Sequence, residues 1–285
     1  MEEPFGRAAA RLDEHHGVTP VPSTLRLITL RHARALAALQ LARAPVRTLP
    51  AVGAAVVIVQ ADGTLPPHVE FAAGPGDQRK LRKVAFREVR RLAAQAAGQT
   101  QAHYSVSLGD LDETGVLWQH AAREAGWAAL TCVHPVGDGA EWIAGRARTD
   151  FGAPGRYLLD LCHVGDYLSR QKSALCQGRS ESVIAALAAR REPAATPEAA
   201  APVRAAHRYL ANRRDQLDYP AALTRALPVG SGLIESGHKH VLQKRLKILG
   251  AAWLRPNCAA LAQARAVRAN GGWSAYWASL SPAQN

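Results

Sequence analysis

No apolar run in this chain is long enough to cross a bilayer. The longest, such as Val52–Val59, fall far short of the roughly 20 residues a spanning helix needs, so a membrane protein is not expected. The opening Met1-Glu2-Glu3-Pro4 is acidic and unlike the positive n-region of a secretory leader. None of the four cysteines (Cys132, Cys162, Cys176, Cys258) forms a C-x-x-C pair, so no zinc ribbon or dithiol redox motif is visible. Such sparse thiols without a leader are expected to be reduced, in a cytoplasmic protein. There is no internal repeat, and the composition is not that of a collagen, a coiled coil or a disulfide scaffold.

Acidic residues are also short. Lys and Arg number 35 against 23 Asp and Glu, a net charge of +12. A chain this basic expects a polyanion, most often nucleic acid. The deficit is sharpest at the C-terminal end. After Glu235 there is no Asp or Glu, while Lys239, Lys244, Arg245, Lys247, Arg255, Arg265 and Arg268 all fall there. A solvated surface normally mixes signs. A one-signed tail implies a positive field aimed at phosphates.

What is present suits a globular α/β protein. The 285 residues, 48% of them apolar, suggest one large domain with appendages. Residues 1–50 read as two helices broken at Gly17-Val18-Thr19-Pro20, with Ser23 as an N-cap and Arg26, Arg31 and Arg34 along the second helix. That outline is helix-turn-helix-like. Residues 51–163 alternate strands and helices. Strands are expected at 54–61, 68–71, 103–108, 128–133 and 157–159. Helices are expected at 114–125 and 141–148, and the basic segment 78–97 also reads as helical. Strands followed by αβ units give the strand order of an RNase H-like core. Residues 164–227 read as a helical insertion, broken at Glu192–Pro202 by a low-complexity loop. Residues 228–285 open with the turn Pro228–Gly232 and continue into a helix from about Leu233 to Leu249. On a regular helix Lys239 and Lys247 share a face, with Lys244 to one side.

Three carboxylates fall at informative places. Asp62 ends the first strand, Asp138 follows the fourth, and Glu235 lies in the first turn of the helix that opens the basic tail. In an RNase H-like order the first and fourth strands are neighbours, about 4.8 Å apart. Acids at their ends, with a third on a helix packed across them, make an oxygen-rich site suited to Mg²⁺ or Mn²⁺. Two such ions can clamp the attacking and leaving oxygens of a phosphodiester. Taken singly, Asp-Gly after a strand is also an ordinary turn, and Glu235 also complements a helix dipole.

Four segments carry a resemblance. They are Val59-Gln-Ala-Asp62-Gly63; Gly137-Asp138-Gly-Ala-Glu-Trp142-Ile143; Leu159-Asp160-Leu-Cys-His163; and Leu227-Pro-Val-Gly-Ser-Gly-Leu-Ile-Glu235-Ser-Gly-His-Lys239-His, followed by Gln243-Lys-Arg-Leu-Lys247. On them the chain resembles bacterial DDE-type insertion-sequence transposases of the ISKra-type family, which are similar in plan to Mutator-like transposases. The resemblance implies an RNase H-like core with a helical insertion before the glutamate. It implies metal-dependent phosphodiester cleavage and strand transfer by Asp62, Asp138 and Glu235 with Mg²⁺ or Mn²⁺. The middle acid lies between Asp138 and Asp160. The Mutator-like Cys/Asp-x-x-His element matches Asp160-Leu-Cys-His163, which favours Asp138 and makes Asp160 and His163 accessory. Contacts to double-stranded DNA, at element ends and target, are expected from Lys239, Lys244, Arg245, Lys247, Arg26 and Arg31. A homo-oligomer on DNA and a nucleoid-associated cytoplasmic location are implied too. The chain starts close to its helix-turn-helix-like segment, so the alternative is a truncated or domesticated DNA-binding remnant without mobility. A zinc hydrolase built on Asp160, His163 and His238 is disfavoured, because His238 and His240 would point apart on a helix.

Overall fold

The computed structural model describes residues 3–45, 48–72, 74–75, 77, 80–152, 157–168, 171–191, 197–248 and 250–280, with the backbone alone at 166–167, 191, 197–200 and 238–240. Two helices come first, α1 (Phe5–His16) and α2 (Pro22–Arg43). The mixed core follows: β1 (Val56–Thr64), β2 (Pro67–Phe71), β3 (Arg82–Phe86), β4 (Val89–Ala96), β5 (His103–Ser107), α3 (Leu111–Glu124), β6 (Cys132–Gly137), α4 (Glu141–Phe151) and β7 (Leu158–Leu159). A helical stretch holds α5 (Leu161–Leu168), α6 (Lys172–Cys176), α7 (Ser180–Arg191), α8 (Pro197–Ala211) and α9 (Tyr219–Thr224). The chain ends with α10 (Gly232–Gly237), a π-helical turn (His238–Gln243), α11 (Lys244–Leu246), β8 (Trp253–Leu254), α12 (Arg255–Ala269) and α13 (Trp273–Ala278).

The main sheet has the order β5-β4-β1-β6-β7. β1 runs antiparallel to β4, and β4 antiparallel to β5, while β6 is parallel to β1 and β7 parallel to β6. The β-branched run Val56-Val57-Ile58-Val59 makes β1 the buried centre. On one face Val57, Val59, Leu92 and Ala94 pack with Trp118 of α3 and Ile143 of α4. On the other, Val106 and Val89 meet Leu242, Cys258 and Ala262. The helical insertion packs on β6 and β7 through Val136, Leu159, Leu175, Leu187 and Leu210. No described helix is long and apolar enough to cross a membrane.

Several expectations are corrected. The segment 78–97 is not helical where it is described: residues 82–86 and 89–96 form β3 and β4. Alanines favour helix locally, but Leu92, Ala93 and Ala94 are buried between two paired neighbours, and that pairing overrides propensity. A strand buried on both faces carries no alternation to reveal it. The strand at His68–Phe71 exists, but it pairs with β3 and β8 in a separate three-stranded sheet. The fourth core strand lies at Cys132–Gly137, nearer Asp138 than expected. Within Glu192–Pro202, α8 has already begun at Pro197; residues 192–196 lie outside the described residues. The N-cap of α2 is Val21, not Ser23, and it makes no side-chain cap bond.

Nor does a regular helix run from Leu233 to Leu249. α10 passes into the π-helical turn and α11 stops at Leu246. Lys247 therefore lies just past the end of α11, and the side chain of Lys239 lies outside the described residues. At the other end, α2 spans 22 residues, about 33 Å. Its Leu30, Ala33 and Leu36 seat on Ala260, Leu261 and Ala264 of α12.

Candidate active site at the strand ends

The registers bring the acids together. Gln60 pairs with Val136, so two residues on, Asp62 and Asp138 stand level on neighbouring parallel strands. Gly137 pairs with Leu159, so Asp138 and Asp160 stand level as well. Adjacent strands lie about 4.8 Å apart. Three aspartates thus occupy one row across β1, β6 and β7, at the carboxyl ends of β6 and β7.

Each acid is held differently. Asp62 is partly exposed, and its Oδ2 lies 3.7 Å from Arg91 Nη2 of the antiparallel partner strand. Burial pushes its carboxyl up, and the charge of Asp138 adds to that; Arg91, the Gly63 backbone and His163 pull the other way. Asp138 Oδ1 accepts the Ala140 N–H at 2.9 Å. Its carbonyl accepts the Tyr209 hydroxyl at 2.7 Å. The next residue, Gly139, has φ of +85°, and its carbonyl accepts Arg213 Nη2 at 2.8 Å. Tyr209 and Arg213 stand one turn apart on and just past α8, so the insertion braces the Asp138 turn.

Asp160 is fully buried. Oδ1 accepts the Cys162 N–H at 2.6 Å, capping α5, and Oδ2 accepts the Ser231 N–H at 3.0 Å and the Ser231 hydroxyl. Both oxygens therefore engage protein donors, and one of them ties down the turn that opens α10. Ligand atoms of Asp160, His163 and Glu235 all lie within 4.8 Å of one another. Glu235 is exposed, with the Ser231 hydroxyl 3.4 Å away.

The helix carrying Glu235 is clamped from below. Gln60 of β1, 1% exposed, accepts the Ile234 N–H at 2.9 Å and donates to the Gly230 carbonyl at 3.1 Å. Arg91, wholly buried, donates to the Ile234 carbonyl while facing Asp62. Burial pulls the Arg91 guanidinium down to about 10, against the opposing pull of Asp62. One arginine thus links the first acid to the residue before the last.

The expected DNA contacts separate. Lys244 and Lys247 are exposed, as are Arg26 and Arg31 on α2. The side chain of Lys239 lies outside the described residues, as do those of His238 and His240. Arg245 is not a surface cation. It is 3% exposed and stacks 4.7 Å from the Phe5 ring and 4.9 Å from the Trp253 ring. Arg265 is buried too, donating to the Val241 carbonyl. Part of the positive tail therefore serves the interior.

Sequence reasoning missed Gln60, Arg91, Ser231, Tyr209 and Arg213. Gln60 had a signal, being a polar residue in the run Val56–Ala61. Arg91 was hidden among six other cations of a segment read as a solvated helix. No protein-family model, curated protein or solved structure matches the chain.

Proposed function

We propose that the chain is a DDE-type DNA transposase with an RNase H-like core, cleaving and joining DNA strands with divalent ions. The observation that carries the reading is the row of Asp62 and Asp138 on adjacent parallel strands, with Glu235 on a helix clamped above β1. The sheet order supports it. Three antiparallel strands followed by two parallel to the first is the arrangement an RNase H-like core requires. A helical insertion between the second aspartate and the glutamate fits the same plan.

The donor set fits hard cations. Asp62, Asp138 and Glu235 offer carboxylate oxygens, the ligands Mg²⁺ and Mn²⁺ prefer. The charge of Asp138 also raises the cost of ionising Asp62, which a cation beside Asp62 relieves. Bound there, the ions would polarise the phosphodiester and activate the attacking oxygen. Asp160 works as a positioning residue, since its oxygens are occupied by Cys162 and Ser231. His163 stands beside it, within reach of Glu235 or of the DNA. In the first step a water oxygen attacks phosphorus and the 3′-oxygen leaves as a free hydroxyl. In the second, that hydroxyl attacks a target phosphodiester and displaces its 3′-oxygen. Lys244 and Lys247 hold DNA backbone, and the α1–α2 segment adds Arg26 and Arg31. The enzyme works as a homo-oligomer on paired DNA ends.

The test is strand cleavage of plasmid DNA carrying the sequences that flank the gene, with and without Mg²⁺. The intact chain should nick it, and Asp62→Asn, Asp138→Asn and Glu235→Gln should each abolish nicking with the fold retained. Normal nicking by Asp138→Asn with loss in Asp160→Asn would exchange the middle acid. A chain that binds DNA but never cleaves it would leave only a DNA-binding remnant.

A further inference from the structure

One face of the three-stranded sheet carries a group of exposed apolar side chains. Its registers pair Val69 with Val84 and Phe71 with Arg82, and set Leu254 of β8 beside Val69. Residues two apart on a strand share a face, so Phe71, Arg82, Val84, Phe86 and Leu254 point the same way. The opposite face carries His68, which is 1% exposed and turned to the body of the protein. The outer side chains are open: Phe71 is 47% exposed, Val84 53%, Phe86 64% and Leu254 43%. Single exposed apolar residues need no explanation, but a contiguous face does. Two of the four phenylalanines in the chain stand on this face, so its aromatic character is concentrated there.

Charge selects the occupant. Arg82 lies on the face, Lys80 precedes the free edge strand β3, and Arg255 follows Leu254; all three are exposed. Arg82 has no acidic partner among the described residues. Glu70, the acid of β2, is engaged by Arg87 at 2.6 Å. A second copy of a chain with net charge +12 would bring the same positive rim against this one. A polyanion would not. Duplex DNA offers phosphates, but its base faces are stacked inside. An unpaired strand offers both phosphates and free π-faces, the combination that stacking platforms use.

We propose that this sheet face binds single-stranded nucleic acid, with the Phe71 and Phe86 rings stacking on unpaired bases and Arg82 holding phosphate. The rings stand four residues apart along the strands, about 14 Å, so they take two separate bases. The platform is the outer half of a long hairpin. Its inner half is the β1–β4 pair, with Asp62 opposite Arg91, and its outer half is the β2–β3 pair. Binding itself requires none of the candidate-site acids, so the proposal stands apart from the catalytic reading.

The experiment is fluorescence anisotropy of the full chain with labelled oligothymidine, oligouridine and a duplex of equal length. Phe71→Ala and Phe86→Ala should each weaken single-strand binding by about 5- to 150-fold, the range for one lost base–aromatic stack. Duplex affinity and the salt slope should not change. Arg82→Gln should instead make the single-strand salt slope shallower, by about 0.7. The tighter of the two single strands identifies DNA or RNA as the ligand. Because both rings are exposed, unaltered thermal unfolding is expected and checks the fold. Wild-type single-strand affinity in both alanine variants would overturn the proposal. So would equal losses on duplex and single strand, or a dimer in sedimentation that Phe86→Ala dissolves. Ring-dependent binding in a chain that never nicks DNA would sink only the catalytic reading.

Discussion

Replacing Gln60 with Leu tests whether the sheet positions Glu235. Leucine keeps the bulk at a site that is 1% exposed but removes both polar atoms. The Ile234 N–H loses its 2.9 Å bond to Gln60 Oε1 yet keeps its 3.0 Å bond to the Ser231 carbonyl. The Gly230 carbonyl loses its 3.1 Å bond from Gln60 Nε2. One group is therefore stranded, not two, and the cost should be about 1–3 kcal/mol. The Asp160–Ser231 and Arg91–Ile234 bonds remain, so α10 should stay attached but less well oriented. Urea titration with an unchanged slope measures the first effect. Nicking kinetics well below the unfolding midpoint measure the second, where kcat should fall while DNA affinity holds. Undiminished stability would show that the clamp carries no net energy. The expected destabilisation with wild-type nicking would show that the clamp holds the fold but does not set Glu235.

Asp62→Asn should raise thermal stability at pH 7, because burial and Asp138 outweigh the attraction of Arg91 and push the carboxyl above its reference value of 3.8. A raised acid costs stability as pH rises through that range, so wild type and variant should converge below pH 3.8, with Mg²⁺ stabilising wild type more than variant at neutral pH. Scanning calorimetry across pH, with and without the ion, reads both effects. His68, His103, His120 and His134 are all pulled below the usual 6.5 by burial. The unfolded chain then binds more protons, so stability should be full above pH 6.5 and decline as pH falls below it. His134→Gln should flatten part of that decline in pH-dependent urea titrations. Lys244→Gln and Lys247→Gln should each make the DNA-binding salt slope shallower by about 0.9. Arg245→Gln should leave the slope alone and lower the unfolding temperature, since Arg245 stacks on Phe5 and Trp253 at a cost of up to about 2 kcal/mol per desolvated ring contact when lost. A changed slope for Arg245→Gln would mean that this side chain reaches the DNA after all.

Asp62, Asp138 and Glu235 were legible as candidates because their signals are local. Asp138 and Glu235 sit next to a turn or helix start that a few neighbouring residues define, and Asp62 closes the apolar run at 56–61, although β1 itself continues to Thr64. The helical insertion was legible for the same reason, through a long stretch of helical patterning. β4 was not, because its arginines and alanines have one local preference and its two paired neighbours impose another. Net positive charge in the tail was readable from composition alone, but its direction was not. Arg245 turns inward because Phe5 and Trp253, from opposite ends of the chain, close over it. Gln60, Arg91 and Ser231 acquire their roles only when β1, β4 and β7 bring the turn at Gly230 onto the sheet. The sequence by itself determined which chemical groups the chain carries and which short segments prefer strand, helix or turn, since both depend on residues within a few positions. The tertiary structure alone decided which acids share a row, which cations face solvent and which polar groups hold Glu235, because burial and hydrogen bonding there are made between residues far apart in the chain.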